Sequence, residues 1–497
     1  MTDETADSQH LSRAPAPVER GPWAGGYRLS RLMPSSRADS DLATTGPKRA
    51  PSGEARDVRL ISELERLLRK PGCPVCRTVE ESERSFFSWF QIESFTAAEV
   101  QARLRAGMGM CPRHSRRLVD DLGRGDGHIL TTVMRHALTG ARQILRDRGQ
   151  PGPCPACEAV AFGAQRGRSV LLEGLSDPRH ARLYSDHDGI CLRHLLHAAE
   201  VADRSALRLL AERLAASLEK RDGSALVSVI AGVDRDAGRR GDWRERLPDP
   251  PGDGSTVARL CRQLEQEACP VCLARGQANR RYVHWFVERA SERDPSLETD
   301  PGQLCAPHLH DIAVVDEGGA ASAAGRQRAA RLAQLHQLLD RLDHSTPPAR
   351  RGRRRADEDL VPGCDELTSM EHCPACHARD GVERAQLALV NSALALRPVR
   401  DRYEQTHGLC VRHALQIPEG RASEVAHRHS DARVAVLAWE VEETGRKYAW
   451  AYRHEPSGPE TDAWIRAMGQ IDGQAFEGVP PATHRALARE STTAAPS

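Results

Sequence analysis

Cysteine and histidine side chains recur along this chain at a spacing suited to binding metal ions. Twelve of the fourteen cysteines belong to four copies of one pattern, Cys-Pro-x-Cys followed by a spacer and then Cys-x-x-His. The first and third cysteines lie 38, 37, 36 and 37 residues apart in the four copies. The sixteen predicted ligands are, copy by copy, Cys73, Cys76, Cys111 and His114; Cys154, Cys157, Cys191 and His194; Cys269, Cys272, Cys305 and His308; and Cys373, Cys376, Cys410 and His413.

Three thiolates and one imidazole are typical of a closed, tetrahedral zinc site. A complete set of four protein ligands leaves no position for water or substrate, so the sequence predicts structural zinc, about four ions per chain. An iron–sulfur cluster is the alternative, because zinc and cluster ligands cannot be separated by sequence. A glutaredoxin-like dithiol centre would need a βαβ context, which the sequence does not show.

The proline in each Cys-Pro-x-Cys indicates how the ligands are positioned. Proline is favoured at the first position of a helix, where its missing N–H would have no partner. The preceding cysteine then becomes the N-cap, and both sulfurs lie at a helix N-terminus, where free N–H groups and the helix dipole favour thiolates. Cys111-Pro112-Arg113-His114 repeats this arrangement. We therefore expect two helix N-termini from the same copy to face each other across one ion.

The copies alternate between two types. Copies two and four both read Cys-Pro-Ala-Cys, and both carry a tyrosine (Tyr184, Tyr403) and a glycine (Gly189, Gly408) at matching distances from their first cysteine. Copies one and three share an aromatic cluster instead. This order predicts a tandem duplication of a two-module unit.

The segments around the motifs have the periodicity of helices rather than strands. Val133, Met134, Ala137 and Leu138 follow the helical i, i+3, i+4 spacing. Within the first spacer we expect helices over 77–92 and 97–106, the second with Thr96 as N-cap and Glu99 completing a capping box. The predicted fold class is all-α.

Composition shifts suggest the domain boundaries. The expected order is a disordered tail at 1–54, module A at 55–150, module B at 151–225, a linker at 226–254, module A′ at 255–343, a basic linker at 344–360, module B′ at 361–455 and a C-terminal tail at 456–497. Because each site is assigned to one copy, losing His194 or Cys154 should unfold module B and leave module B′ largely intact.

Charge and composition restrict the function classes. The chain has 70 basic and 69 acidic residues, a net charge of +1, so no overall field favours nucleic acid or anionic membranes. A local exception is the basic run Arg350, Arg351, Arg353, Arg354 and Arg355. No apolar stretch has the length of a signal peptide or a membrane span, so we expect a cytoplasmic protein with no membrane partner. In that reducing compartment the cysteines are better suited to metal than to disulfides.

The second Cys-x-x-His pattern of each half resembles a known family. Gly-Ile-Cys-Leu-Arg-His at 189–194 and Gly-Leu-Cys-Val-Arg-His at 408–413, each downstream of Cys-Pro-Ala-Cys, resemble a bacterial domain family of unknown function. The resemblance covers most of residues 55–455 and implies no activity. Copy three departs from the pattern, with Gly302 one place early and Ala306-Pro307 before the histidine.

The sequence therefore predicts a zinc-stabilised, non-catalytic scaffold or adaptor that binds another protein. Two alternatives stay open. One is an enzyme that depends on a metal ion or an iron–sulfur cluster. The other is a nucleic-acid-binding regulator that uses the basic run at 350–355.

Overall fold

The computed structural model describes residues 62–122, 127–234, 256–291, 304–344, 373–452, 454–456 and 458–473. Within these ranges the chain forms helices and turns, and no strand is present. The all-α fold class is confirmed. The basic run at 350–355, the tail at 1–54 and residues 474–497 lie outside the described residues.

The first half begins with a helical segment at 62–68. Its numbered helices are α1 Pro74–Trp89, α2 Ala98–Ala106, α3 Pro112–Leu122, α4 Gly127–Asp147, α5 Pro155–Leu175, α6 Pro178–Asp186, α7 Leu192–Ala199, α8 Arg204–Lys220 and α9 Gly223–Ala231. A π-helical turn, Phe90–Ser94, continues α1.

The second half repeats this order where it is described. Its helices are α10 Thr256–Leu264, α11 Pro270–Ser291, α12 Ala306–Val315, α13 Glu317–His344, α14 Pro374–Ala393, α15 Arg397–Glu404, α16 Val411–Ala414, α17 Arg421–Tyr448 and α18 Ala463–Asp472. A 3₁₀ turn, Pro459–Asp462, precedes α18.

Each half is built on a pair of helices that begin at Cys-Pro-x-Cys motifs: α1 packs on α5, and α11 packs on α14. The first pair is antiparallel, because Gly163 lies beside Ser82 and Gly167, further along α5, lies beside the earlier Thr78. The two N-termini of a pair are therefore at opposite ends. With a rise of 1.5 Å per residue, α1 carries the chain roughly 24 Å from its own cysteines.

Long helices of each half pack against helices of the other half. α4 of the first half packs against α17 and α18 of the second, and α13 of the second packs against α8 and α9 of the first. One apolar core joins Leu130, Val133 and Leu138 of α4 to Leu437 and Val441 of α17. The apolar faces of these long helices are thus buried against the other half.

Two predicted boundaries differ from the structure. The predicted linker at 226–254 begins inside α9, whose Val227, Ile230 and Ala231 are buried. The predicted tail at 456–497 contains α18, whose Ala467 and Ile471 are also buried. Both segments form short apolar helices of the core. Each follows the last Cys-x-x-His motif of its half, so the motifs did not indicate that the core continues there.

The expected capping box before α2 is wrong. The N-cap of α2 is Ala97, and its side chain makes no capping hydrogen bond. The π-helical turn carries the preceding helix further than predicted, and the amide of Ala97 donates to the carbonyl of Ser94. Thr96 therefore lies in the turn rather than at the cap.

Candidate metal centres

Four groups of three cysteines and one histidine come together in the described part of the chain. In each group all four ligand atoms lie within 4.8 Å of one another. Site I is Cys73, Cys76, Cys191 and His194; site II is Cys111, His114, Cys154 and Cys157; site III is Cys269, Cys272, Cys410 and His413; site IV is Cys305, His308, Cys373 and Cys376. Every predicted ligand belongs to one of these groups.

The expected grouping by copy is wrong. Each site combines the Cys-Pro-x-Cys of one copy with the Cys-x-x-His of the other copy in the same half. Cys111 and His114, for example, meet Cys154 and Cys157 rather than Cys73 and Cys76. The physical reason is the antiparallel helix pair, because α1 delivers the chain to the end where α5 begins.

Two helix N-termini form each site, as the sequence indicates. Cys73, Cys154 and Cys373 are N-caps with extended backbones, each followed by proline in the first turn. Cys191 and Cys410 are also N-caps with extended backbones, of α7 and α16, but they are followed by Leu192 and Val411 rather than by proline. The sulfurs therefore lie where backbone N–H groups and the helix dipole stabilise negative charge.

The distances fit one tetrahedral ion. The Nδ1 atom of each histidine lies 3.1–3.5 Å from the three sulfurs of its site. Sulfur atoms lie 3.8 Å apart at Cys76 and Cys191 and 3.6 Å apart at Cys111 and Cys157. A zinc ion with ordinary bond lengths would hold two sulfurs about 3.8 Å apart and a sulfur and a nitrogen about 3.6 Å apart. None of the cysteines in the described part forms a disulfide.

A hydrogen-bond acceptor ten residues after the first cysteine orients the histidine in three sites. Nε2 of His114 lies 3.1 Å from Glu83, and Nε2 of His413 lies 3.3 Å from Glu383. In site IV the Nε2 atom of His308 lies 2.7 Å from Oδ1 of Asn279. This second contact presents Nδ1 to the metal position.

These acceptors were missed by the sequence analysis. All three occupy the same offset in their copies, on the helix that pairs with the site's own Cys-Pro-x-Cys helix. Copy two has Ala164 at that offset, so one copy lacks an acceptor there. Copy three has Asn279 where copies one and four have glutamate. Comparing all four copies position by position would have revealed them.

Close contacts between sulfurs shift the thiol pKa values of site I in opposite directions, and hydrogen bonds with Cys73 and Cys76 raise the pKa of Cys191. Hydrogen bonds with Cys191 and Cys73 hold the pKa of the Cys76 thiol well below its ordinary range. Burial lowers the pKa of His114, but hydrogen bonds with Cys111, Cys154 and Glu83 outweigh it and raise the pKa to about 11. The pocket around His114 thus favours a cation.

Tyrosines at matching positions of copies two and four hold the loops that carry the third cysteine. The hydroxyl of the fully buried Tyr184 accepts a hydrogen bond of 3.0 Å from the amide of Ile190, directly before Cys191. Tyr403 does the same for Leu409, directly before Cys410. Gly189 and Gly408 turn these loops at positive φ, 87° and 68°. The signature noted in the sequence therefore positions a ligand.

Asp188 joins the two segments that form site I. Its carboxylate accepts a 2.7 Å hydrogen bond from the amide of Gly72, next to Cys73, and pairs with Arg221. Its carbonyl accepts a bond of 2.7 Å from Ser217 of α8. The turn before the first cysteine is thus fixed to the loop before the third.

Two arginines of the Cys-x-x-His helices form ion pairs within the fold. Arg412 forms a 3.0 Å ion pair with the buried Asp472, and Arg113 lies 3.7 Å from Glu83.

Among the described helices, none combines the length and the apolar character needed to cross a lipid bilayer.

Comparison with known proteins found no match. No protein-family model matches the chain, and neither the curated proteins nor the solved structures contain a significant match. The structure itself shows a helical protein, and its described part contains four Cys₃His groups that could each hold a metal ion.

Proposed function

We propose that this protein is a zinc-stabilised, non-catalytic scaffold that binds another protein. The observation that carries the proposal is the four Cys₃His groups, each joining helix N-termini from two repeat copies. Each group supplies a complete tetrahedral ligand set and leaves no coordination position for a substrate. The free cysteines fit a reducing compartment such as the cytoplasm.

The geometry favours one ion per site over an iron–sulfur cluster. In a cluster, different protein ligands bind different iron atoms, so their donor atoms lie further apart than those that share one ion. The ligand atoms here all lie within 4.8 Å of one another. Three sulfurs and one nitrogen at these separations support zinc.

Zinc would contribute much of the stability. Zinc binding by small zinc-finger peptides releases about 10–16 kcal/mol, which is comparable with the whole unfolding free energy of an ordinary domain, about 5–15 kcal/mol. Aromatic residues, which dominate most cores, make up only 4% of this chain. The four ions would therefore act as staples between helices that are distant in sequence.

Exposed aromatic side chains support the proposal that the chain binds another protein. Trp439, on α17, is 66% exposed and Trp450, just beyond α17, is 75% exposed. Tryptophan is enriched in protein interfaces, where its large surface becomes buried. The resemblance to a domain family of unknown function is part of the proposal but adds no activity to it.

Metal analysis with an absorption spectrum tests the metal part of the proposal. Protein purified without oxygen should contain about four zinc ions per chain, one for each group, and show no visible absorption. A strong chelator should abolish the helical circular dichroism signal. Iron with a brown colour, or unchanged helicity after complete metal removal, would overturn the zinc scaffold.

Affinity capture tests the partner. A protein retained by the native chain but lost with the Trp439→Ala/Trp450→Ala variant would support the adaptor role. Trp285 on α11, which is 41% exposed, provides the matched control substitution. Recovery of the same proteins by all three chains would contradict the proposed surface.

A further inference from the structure

The four sites fall into two classes by the exposure of their ligands. In sites I and III all four ligands are buried. In sites II and IV the second cysteine of Cys-Pro-Ala-Cys reaches the surface: Cys157 is exposed and Cys376 is partly exposed. The corresponding cysteines of the other two sites, Cys76 and Cys272, are only 8% and 6% exposed.

A glycine covers the sulfurs of site I. Gly232, which has a positive φ of 79°, directly follows helix α9 as its C-cap. A Cβ atom at this position would lie 3.2 Å from the sulfur of Cys76 and 3.4 Å from the sulfur of Cys191. The backbone therefore lies directly on two of the ligands, at a distance that a side chain would disturb.

The second half closes site III in the same way. Gly473, with φ 74°, is the C-cap of helix α18, and a Cβ atom there would lie only 2.1 Å from the sulfur of Cys272. Ile230 and Ile471, each two residues before the glycine, are both buried and anchor the two helix ends. We call Gly232 and Gly473 the closing glycines. Among the described glycines, none approaches the sulfurs of sites II and IV this closely.

We propose that sites II and IV exchange their zinc with thiolate ligands from solution, whereas sites I and III retain theirs. This inference rests on the proposed zinc occupancy. Ligand exchange at zinc requires an incoming donor to reach the ion while a bound donor leaves. Cys157 and Cys376 are the thiolates at which this happens, since the closing glycines block the equivalent approach to Cys76 and Cys272.

The exchange step involves no change of oxidation state. The incoming thiol would lose its proton and form a zinc–sulfur bond, the bond between zinc and the sulfur of Cys157 would break, and the released Cys157 thiolate would take up that proton. Repetition at the remaining ligands transfers the ion to the acceptor. Two of the four sites would then give zinc to, or take it from, a thiol-bearing partner while the other two keep the fold intact.

Chelation kinetics on the zinc-loaded full chain test the proposal. We expect 4-(2-pyridylazo)resorcinol in excess to remove two zinc ions in a fast phase and two in a phase about ten-fold slower or more, because the slow pair requires local opening of the closing helices. Iodoacetamide labelling followed by peptide mass spectrometry should modify Cys157 and Cys376 during the fast phase. Cys76 and Cys272 should be labelled only during the slow phase.

A glycine substitution should move one site between the classes. Gly232→Ala places a methyl group against Cys76 and Cys191, so site I should join the fast phase and three zinc ions should be released quickly. Gly325→Ala on α13 is the matched control, since a Cβ atom there has no neighbour within 4 Å. It should leave the two-and-two pattern unchanged.

The outcomes separate this proposal from the zinc scaffold itself. Protein that lacks zinc before chelation would refute the scaffold. Release of all four ions in one phase, or labelling of Cys76 as early as Cys157, would overturn the two classes alone. If Gly232→Ala does not fold, the labelling order in the native chain still decides.

Discussion

Each histidine of sites II, III and IV has two distinct contacts, one at each ring nitrogen. Nδ1 lies among the sulfurs, and Nε2 meets Glu83, Glu383 or Asn279. Such contacts fix the ring orientation and the protonated nitrogen, and a carboxylate also increases the basicity of the imidazole. The acceptor is therefore part of the metal centre although it does not bind the ion.

Removing this acceptor should weaken metal binding. We expect Glu83→Ala to lower the zinc affinity of site II by about 10- to 100-fold, the usual effect of losing a histidine's second partner. Competition with a chelator of known affinity measures the change. Glu83→Gln keeps an acceptor and should lose less, and equal affinities in all three proteins would contradict the role of Glu83.

The identity of the ligands was predictable from the sequence, but their grouping was not. The repeat alone identifies Cys111 and Cys191 as metal ligands, because both occupy the same position in their copies. Nothing in that position says whether Cys73 meets Cys111 or Cys191. The answer depends on the direction of α1 relative to α5, which is a property of tertiary packing.

At the scale of the elements, the close α1–α5 pair determines where the sites form. Gly163 and Gly167 face α1, and a Cβ atom on Gly163 would lie 2.3 Å from the hydroxyl oxygen of Ser82. The small residues allow the two helices to approach closely. This approach keeps Glu83 beside His114 while site I forms at the other end of the pair.

A larger residue at Gly163 should separate the pair. We expect Gly163→Val to destabilise the zinc-loaded protein by about 1–3 kcal/mol, the usual cost of overpacking. The control is Gly381→Ala on α14, where a Cβ atom has no neighbour within 4 Å. It should stabilise slightly, because alanine is the better helix former. Denaturant unfolding compares them, and equal stability of the two variants would contradict close packing at Gly163.

The helices themselves were largely predictable, whereas their ends were less so. Proline after a cysteine marked the start of α1, α5 and α14. The apolar spacing at Val133, Met134, Ala137 and Leu138 marked α4, and all four residues are buried. Thr96 is not the N-cap, because the π-helical turn Phe90–Ser94 displaces the start of the next helix.

At the scale of the whole molecule, the two halves are intertwined rather than arranged as separate modules. The expectation that His194 and Cys154 serve one module is wrong, because His194 belongs to site I and Cys154 to site II. Asp472 links the halves as well, accepting a 2.9 Å hydrogen bond from Ser115 and pairing with Arg412. Ser115 follows a ligand of site II, and Arg412 precedes a ligand of site III.

The link through Asp472 should depend on pH. Burial raises the pKa of Asp472 from 3.8 to about 6, although the charge of Arg412 and the Ser115 hydrogen bond oppose it. Its contribution to stability is therefore fully present below pH 3.8 and is lost as pH rises through about 6. Asparagine at this position does not titrate, so the native chain should lose stability relative to Asp472→Asn as pH rises.

Thermal unfolding in zinc-saturated buffer at pH 5 and pH 7.5 measures this difference. Between those pH values the difference in unfolding free energy between the two proteins should shift by roughly 1 kcal/mol in favour of the asparagine variant. This corresponds to about one pKa unit of the difference in protonation between folded and unfolded Asp472. Zinc release at low pH affects both proteins and cancels in the comparison. The same stability difference at both pH values would contradict the raised pKa.

Zinc counts on paired cysteine variants test most directly whether each site combines two repeat copies. Native mass spectrometry should find that Cys76→Ala/Cys191→Ala retains three zinc ions, since both residues belong to site I, whereas Cys76→Ala/Cys111→Ala retains two, since it damages sites I and II. The opposite result, two ions in the first variant and three in the second, would show that each copy binds its own ion and would contradict the account.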